Sequence, residues 1–355
     1  MIRRLLLMLC IGLAAASSAA AKERFDVAGA YRDGRYQEVI AKSKGGTLTA
    51  HEALYLGLSH LRLGDPLRAI DAWNTYTRLA AGGEGAREIA PFLTILRRGE
   101  AHRRALDIRR QPNGPSADVR AGSPALDAKR IVVAPFRNLG ARTADPLTKG
   151  LAALLIADLA KVPTLRVVDR IYTQAVLNEL HFNAVDGVDE HSAPQIGASL
   201  GAAQVVVGSI LSAEADRLVV DTVVIRTKDG RPLTAPGLSV ETPTFDRVEK
   251  ALLKKILCGV GQCPERLAPS VRTAVEARHT TNVKAFRLFS EGLEWLDRAQ
   301  YREAARAFAL AVDEDPGFEA ARTALRDTPI FSADLATMVA RAEMIPFDEY
   351  ALYAP

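Results

Sequence analysis

Few residues in this chain are of types that make or break bonds, and their spacing argues against most chemistry. Cys258 and Cys263 lie in KILCGVGQCPE, with four residues between them, two of which are glycine. That loop can fold back and join the sulfurs, and an oxidising compartment favours the resulting disulfide. A redox dithiol usually has two intervening residues and opens a helix, whereas Cys258 ends a helix-like run. A zinc site needs two further ligands, and no Cys or His stands at a suitable spacing. The DEHS stretch at 189–192 reads as a solvated loop.

The run RIVVAPF, Arg130 to Phe136, leads through a polar loop into a helix-like stretch, the grammar of many nucleotide sites. Such sites need glycines at the turn, so that backbone can approach a pyrophosphate. From Arg137 to Gly150 only Gly140 and Gly150 occur, and Gly150 follows Lys149 where a phosphate loop needs glycine first. No catalytic residue, cofactor or metal is therefore expected. The loop residues Arg137, Asn138 and Arg142 are kept as candidates for a small-ligand cleft.

The elements around these residues read as an α/β domain with a mixed sheet over 129–263. The first strand, apolar on both faces, belongs in the sheet interior. Leu147, Leu151, Leu154, Leu155, Leu159 and Val162 form one helical stripe. TLRVVD (164–169) is a strand, YTQAVLNEL and APQIGASLG are helices, and AQVVVGSIL (203–211) is a strand. DRLVVDTVVIR and PGLSVET read as a hairpin, the second arm at the edge, and a helix through Ile256 closes the block. The predicted order is βαβααβββα.

Two flanking stretches resemble tetratricopeptide repeats. AFRLFSEGLEWLDRAQYREAARAFALAVDEDP carries Gly292, Trp295, Tyr301, Ala304, Phe308, Ala311 and Pro316 at the repeat's spacings. Upstream, Ala53, Leu56, Gly57, His60, Gly64, Ala69 and Trp73 take the corresponding places, after a half-repeat with Gly34, Tyr36 and Val39. The resemblance implies helical hairpins over 24–106 and 282–345, the latter including a capping helix near 331–344. It also implies a protein-binding concave face with Phe286, Phe289, Leu293 and Leu296 downstream and Leu54, Leu58 and Leu61 upstream. The stretches 107–128 and 264–281 read as linkers, and 346–355 as a tail. Six arginines between Arg97 and Arg110 spread around a helix, the mark of a solvated segment.

The middle block itself resembles the domain shared by the curli-secretion protein CsgG, the flagellar outer-membrane protein FlgO and the amino-terminal domain of TolB. The residues that carry this are RIVVAPFRNLG, LTKGLAALLIADLAKVPTLRVVDR and IGASLGAAQVVVGSI. The resemblance implies periplasmic or outer-membrane protein binding, sometimes in rings, without enzymatic activity. It does not carry over the channel's extra amphipathic hairpins, because the hairpin here is one of the sheet's own arms and lacks aromatic girdles.

Bulk properties agree with export. Met1-Ile-Arg-Arg, an apolar run from Leu5 to Ala16 and small residues to Ala21 read as a signal peptide over 1–21. With 46 basic and 42 acidic side chains the surface is balanced, which argues against a nucleic-acid partner. The expectation is a periplasmic adaptor with protein partners in the cell envelope, a homo-oligomer in some assemblies, peripherally associated with the outer membrane. The alternatives are a channel subunit and a small-molecule sensor.

Overall fold

The computed structural model describes residues 25–110, 126–140, 144–182, 187–214, 217–234, 240–242, 245–330, 340 and 342–343. The expected signal peptide, Arg142, most of the expected capping helix and the tail lie outside these residues. The chain divides into two compact units with the boundary between Ala81 and Gly82.

The first unit holds α1 (Val27–Arg32), α2 (Tyr36–Lys42), α3 (Ala50–Arg62) and α4 (Pro66–Leu79). Local chemistry sets each boundary. The Asp26 carboxylate accepts from Gly29 N–H at 2.8 Å and starts α1. Thr49 and Glu52 form a reciprocal capping box at the start of α3. Gly64 at φ +74° turns the chain, after which Asp65 caps α4 and Pro66 enters its first turn. The α3–α4 hairpin closes on Trp73, which is fully buried and donates from Nε1 to the Leu54 carbonyl at 3.1 Å. A methyl group on Gly57 would overlap the Trp73 indole, so only glycine lets the two helices approach this closely. Leu54, Leu58 and Leu61, expected on a ligand-facing surface, are buried at 3 %, 0 % and 4 % exposure. That expectation is corrected: the amphipathic stripe of α3 is spent on the interior.

The second unit begins with α5 (Glu84–Arg110), a helix that runs past the expected domain end at 106 and into the expected 107–128 linker. The boundary moves because α5 packs on α7 (Arg170–Glu179) of the α/β domain. Its arginines are anchors as well as solvated charges. Arg98 donates to the Asp297 carbonyl at 3.0 Å, Arg103 and Arg104 hold the buried Glu100, and Arg109 pairs with Glu179 at 3.4 Å.

The sheet contains β1 (Asp127–Val133), β2 (Arg137–Asn138), β3 (Arg166–Val167), β4 (Ala202–Glu214), β5 (Arg217–Arg226) and β6 (Val240–Thr242). Its order is β3-β1-β4-β5-β6, with β2 continuing the line of β1 and also pairing with β4. β1 runs parallel to β3 and β4, and the long β4–β5 hairpin and β6 are antiparallel. The sheet is mixed, as expected, β1 is interior and β6 lies at an edge. The order is ββαβααβββα, because the first strand breaks after Val133 and resumes as the two-residue β2.

Alternation explains why the strands read as unbroken apolar runs. Ile131 and Val133 of β1, with Val206 and Ile210 of β4, join one core with α6 (Asp145–Leu159) and α9 (Phe245–Gly259). Val132, Val205 and Val207 join another with α7 and α8 (Ala193–Ser199). Both faces are covered, so both parities must be apolar.

The C-terminal helices α11 (Val283–Asp297), α12 (Tyr301–Glu314) and α13 (Glu319–Asp327) share the first of these cores. The expected linker 264–281 is itself structured: a 3₁₀ turn Pro264–Arg266 and α10 (Pro269–Glu276) pass through it, and Val275 is fully buried. A separate C-terminal domain is therefore corrected to an extra helical layer laid on α6. Gly150 of α6 lies against Phe286 and Ser290 of α11, where a methyl group would overlap the Ser290 hydroxyl. Phe286, Phe289, Leu293 and Leu296 are 1 %, 3 %, 4 % and 7 % exposed. They pack inward and are no concave binding face. The hairpin α11–α12 repeats the first unit's device: Gly292 lies where a methyl group would meet the fully buried Phe308 ring.

Cys258 and Cys263 are disulfide-bonded, with Cα atoms 4.1 Å apart. The bond staples the end of α9 to the turn that follows.

Candidate functional site

At the carboxyl end of β1 the chain has neighbours of opposite connectivity, β3 on one side and β4 on the other. In open α/β sheets this switch point leaves a crevice in which ligands bind. Here it holds a cavity of about 230 Å³. Phe136 comes from the strand end, Thr148 and Lys149 from the first turns of α6, Gln174 and Asn178 from α7, and Asp297 from the end of α11. A second cavity of about 390 Å³ adjoins it between α5, α7 and α11, sharing Gln174, Asn178 and Asp297.

Asp297 organises the site. Its side chain is 6 % exposed; Arg170 donates to its Oδ1 at 2.7 Å, and Lys149 Nζ lies 2.8 Å from its Oδ2. Burial alone would raise this carboxyl, but Arg170 and Lys149 outweigh burial and hold it below the ordinary range. Lys149 also reaches Glu294 at 2.5 Å, and Glu294 pairs with Arg298 at 2.7 Å. The network ties α6, α7 and α11 together across more than a hundred residues of sequence.

Of the predicted loop residues, Arg137 and Asn138 follow Phe136 but do not line this cavity. Arg137 and Asn138 are β2, paired with Ser209 and Ile210 of β4. Asn138 braces the loop: its amide donates to Asp145 at 2.5 Å, and its carbonyl oxygen accepts from Gly140 N–H at 3.0 Å. Arg137 lays its aliphatic stem against Gly187, and its Nε is buried without a hydrogen-bond partner. Arg142 lies outside the described residues. In DEHS, Asp189 and Ser192 exchange hydrogen bonds of 2.8 and 2.9 Å at the entry to α8, while Glu190 and His191 are exposed. Gly197-Ala-Ser-Leu-Gly201 has the spacing of a nucleophile elbow, but it runs from helix into strand where an elbow runs from strand into helix. The Ser199 hydroxyl donates back to the Gln195 carbonyl at 2.8 Å, leaving it the role of a helix-end serine.

A second charged cluster lies under α6. Asp158 is fully buried, and Lys161, Lys250 and His279 approach it at 2.7, 2.5 and 3.0 Å. Glu249, 2 % exposed, lies beside them, 3.2 Å from Lys250. Burial would raise Asp158, but His279, Lys161 and Lys250 together push it far below the ordinary carboxylate range. Burial, then the Asp158 charge, push Glu249 up to about 8. The donor atoms of Asp158, Glu249 and His279 lie within 4.8 Å of one another. Two ammonium groups already occupy the Asp158 oxygens, so the cluster reads as an internal ion network tying α6 and α9 to α10. The lysines also donate to the Ala274 and Val275 carbonyls, each at 3.0 Å.

Sequence reading missed both clusters. Asp158 carried a signal, because it falls on the apolar stripe of α6, four residues after Leu154. Asp297 carried none, since its partners come from distant segments.

Residues 102–217 match the family model of the curli production assembly/transport component CsgG. The match starts within α5, takes in β1 through β4 with α6, α7 and α8, and stops as β5 begins. It spans about a third of the chain, beginning before and ending short of the 129–263 block expected from sequence. The CsgG-like region supplies every strand and most of the helices around the 230 Å³ cavity, while Glu294 and Asp297 come from the helical layer outside it. No curated protein matches the chain. Among the described residues, no helix is long and apolar enough to cross a membrane.

Proposed function

We propose that this chain is a non-enzymatic adaptor of the cell envelope, exported by its amino-terminal segment, serving the assembly or secretion of a surface appendage. The observation that carries this reading is the CsgG-like region at 102–217, named for curli production assembly and transport. Two features support an adaptor. The disulfide suits an oxidising compartment. The buried Asp158 and Asp297 carboxylates are each engaged with cations in ion pairs that join helices, the pattern of internal bracing. The tetratricopeptide resemblance fits the glycine-against-aromatic hairpins of α3–α4 and α11–α12, but the inward faces of these hairpins are occupied. Partner contact then falls to outward surfaces, such as the exposed Leu139 and Leu211, neighbours at the end of β2 and on β4.

In-cell crosslinking of the full-length chain, followed by mass measurement of the native complex, tests the proposal. Recovery of envelope assembly or secretion proteins is the expected result. Recovery of a homomeric ring inserted in membrane would replace the adaptor with a channel subunit, and a chain found alone in the cytoplasm would end both readings.

A further inference from the structure

The second cavity, about 390 Å³ between α5, α7 and α11, differs in charge from its neighbour. At the end of β1, Lys149, Arg298, Glu294 and Asp297 answer one another in ion pairs. In the second cavity the one carboxylate of the lining is that same Asp297, held by Arg170 and Lys149. Arg98 stands on the α5 wall, where it donates one N–H to the Asp297 carbonyl at 3.0 Å. Its guanidinium lies 5.9 Å from the centre of the Tyr301 ring. Among the described residues Arg98 has no ion-pair partner, and most of its N–H donors remain to it. His102, also in the lining, already stands 3.5 Å from Glu179. The half-buried Arg98 charge is therefore the one that the protein leaves unanswered, and it selects an anion.

Two further features narrow the anion. Gln174 donates its amide to the Asn178 side-chain oxygen at 2.8 Å, which leaves the Gln174 carbonyl oxygen as an acceptor and the Asn178 amide as a donor. Ile95, Ile171 and Ala175 add an apolar wall. A free phosphate answers Arg98 alone. A fatty acid answers Arg98 and the wall, but it takes water from the two amides and returns no hydrogen bond, which is costly. The end of a polypeptide answers all three, with a carboxylate, a peptide group that both donates and accepts, and an apolar side chain. The volume falls within the roughly 300–1,000 Å³ of ligand sites. At about 30 Å³ per water it equals about thirteen waters, room for about two residues of chain.

We propose that this cavity captures the carboxyl-terminal end of a partner polypeptide whose last residue is apolar. The terminal carboxylate faces Arg98. The last peptide group donates to Gln174 and accepts from Asn178, and the last side chain lies against Ile95, Ile171 and Ala175. The proposal rests on the adaptor reading and deepens it, because it names the part of a protein partner that is recognised.

Isothermal titration of the purified full-length chain tests it with four probes: the peptide acetyl-Gly-Gly-Ala-Leu with a free carboxylate, the same peptide ending in an amide, decanoate, and inorganic phosphate. The free-carboxylate peptide is expected to bind at sub-millimolar concentration and the other three at least tenfold more weakly. Arg98→Gln should erase the preference for the free carboxylate over the amide, an effect that a merely structural role would not produce. Gly99 lines the cavity with open space where a side chain would start. Gly99→Trp is therefore expected to abolish peptide binding while circular dichroism and melting remain those of the parent chain. Absence of peptide binding, equal binding of the amide, or a preference for decanoate or phosphate would each overturn the proposal. So would unchanged binding by a folded Gly99→Trp chain, or a carboxylate preference that survives Arg98→Gln. Crosslinking to envelope partners is a separate readout, so failure here leaves the adaptor reading standing.

Discussion

Replacing Phe286 with alanine asks directly whether the inner face of α11 is a core or a recognition surface. The ring is 1 % exposed and lies against Gly150 of α6, inside the cluster that also holds Leu151, Leu155 and Phe308. Truncation removes a buried aromatic and leaves a cavity that close-packed helices fill only in part, so the cost falls at about 3–5 kcal/mol. A solvent-facing aromatic would cost no more than about 0.5 kcal/mol. Against a total stability of about 5–15 kcal/mol the difference is large. With a urea slope of about 3 kcal/mol per molar, the midpoint for the second unit should fall by about 1–2 M with the slope unchanged. The assay is urea unfolding followed by circular dichroism, with Leu310→Ala, at a position 45 % exposed on α12, as the surface control. If Phe286→Ala moves the midpoint no further than Leu310→Ala does, the claim that the C-terminal helices are a layer of the α/β core is refuted.

Three other outcomes follow from the same contacts. Reducing the Cys258–Cys263 bond, or replacing both cysteines with serine, should cost about 2 kcal/mol, since the loop closed is short; calorimetric melting with and without reductant measures it. Glu249 has a folded pKa raised to about 8, so the stability its protonated form contributes is complete below its ordinary carboxylate range and is lost as pH rises through about 8. Urea midpoints measured from pH 5 to 9 should therefore decline, and Glu249→Gln should flatten that decline. Gly57→Leu should destabilise the first unit by several kcal/mol through collision with Trp73, read as loss of tryptophan burial in fluorescence.

Much of the α/β domain was legible because its signals are local. Alternation between two covered faces makes β1 and β4 apolar throughout, and the stripe from Leu147 to Leu159 marks α6. The pairing of Cys258 with Cys263 followed from a short glycine-bearing loop. Boundaries were harder to read. The arginines of α5 looked solvated on a helical wheel, yet Arg98 and Arg109 reach partners 199 and 70 residues away, which no window of sequence contains. The stripe Phe286, Phe289, Leu293, Leu296 announces that something covers it, but periodicity is silent on whether that cover is another protein or the chain's own α6.

The amino-acid order by itself thus determined which segments are strands and helices, which turns glycine must make, and which faces seek burial, because these depend on neighbours within a few residues. Only the tertiary structure decided what those faces bury against, that Asp158 and Asp297 gather cations from distant segments, and that a cavity of balanced charge opens at the end of β1. The physical reason is that charge networks and cavities are properties of juxtaposed surfaces, and juxtaposition is settled by the packing of whole elements.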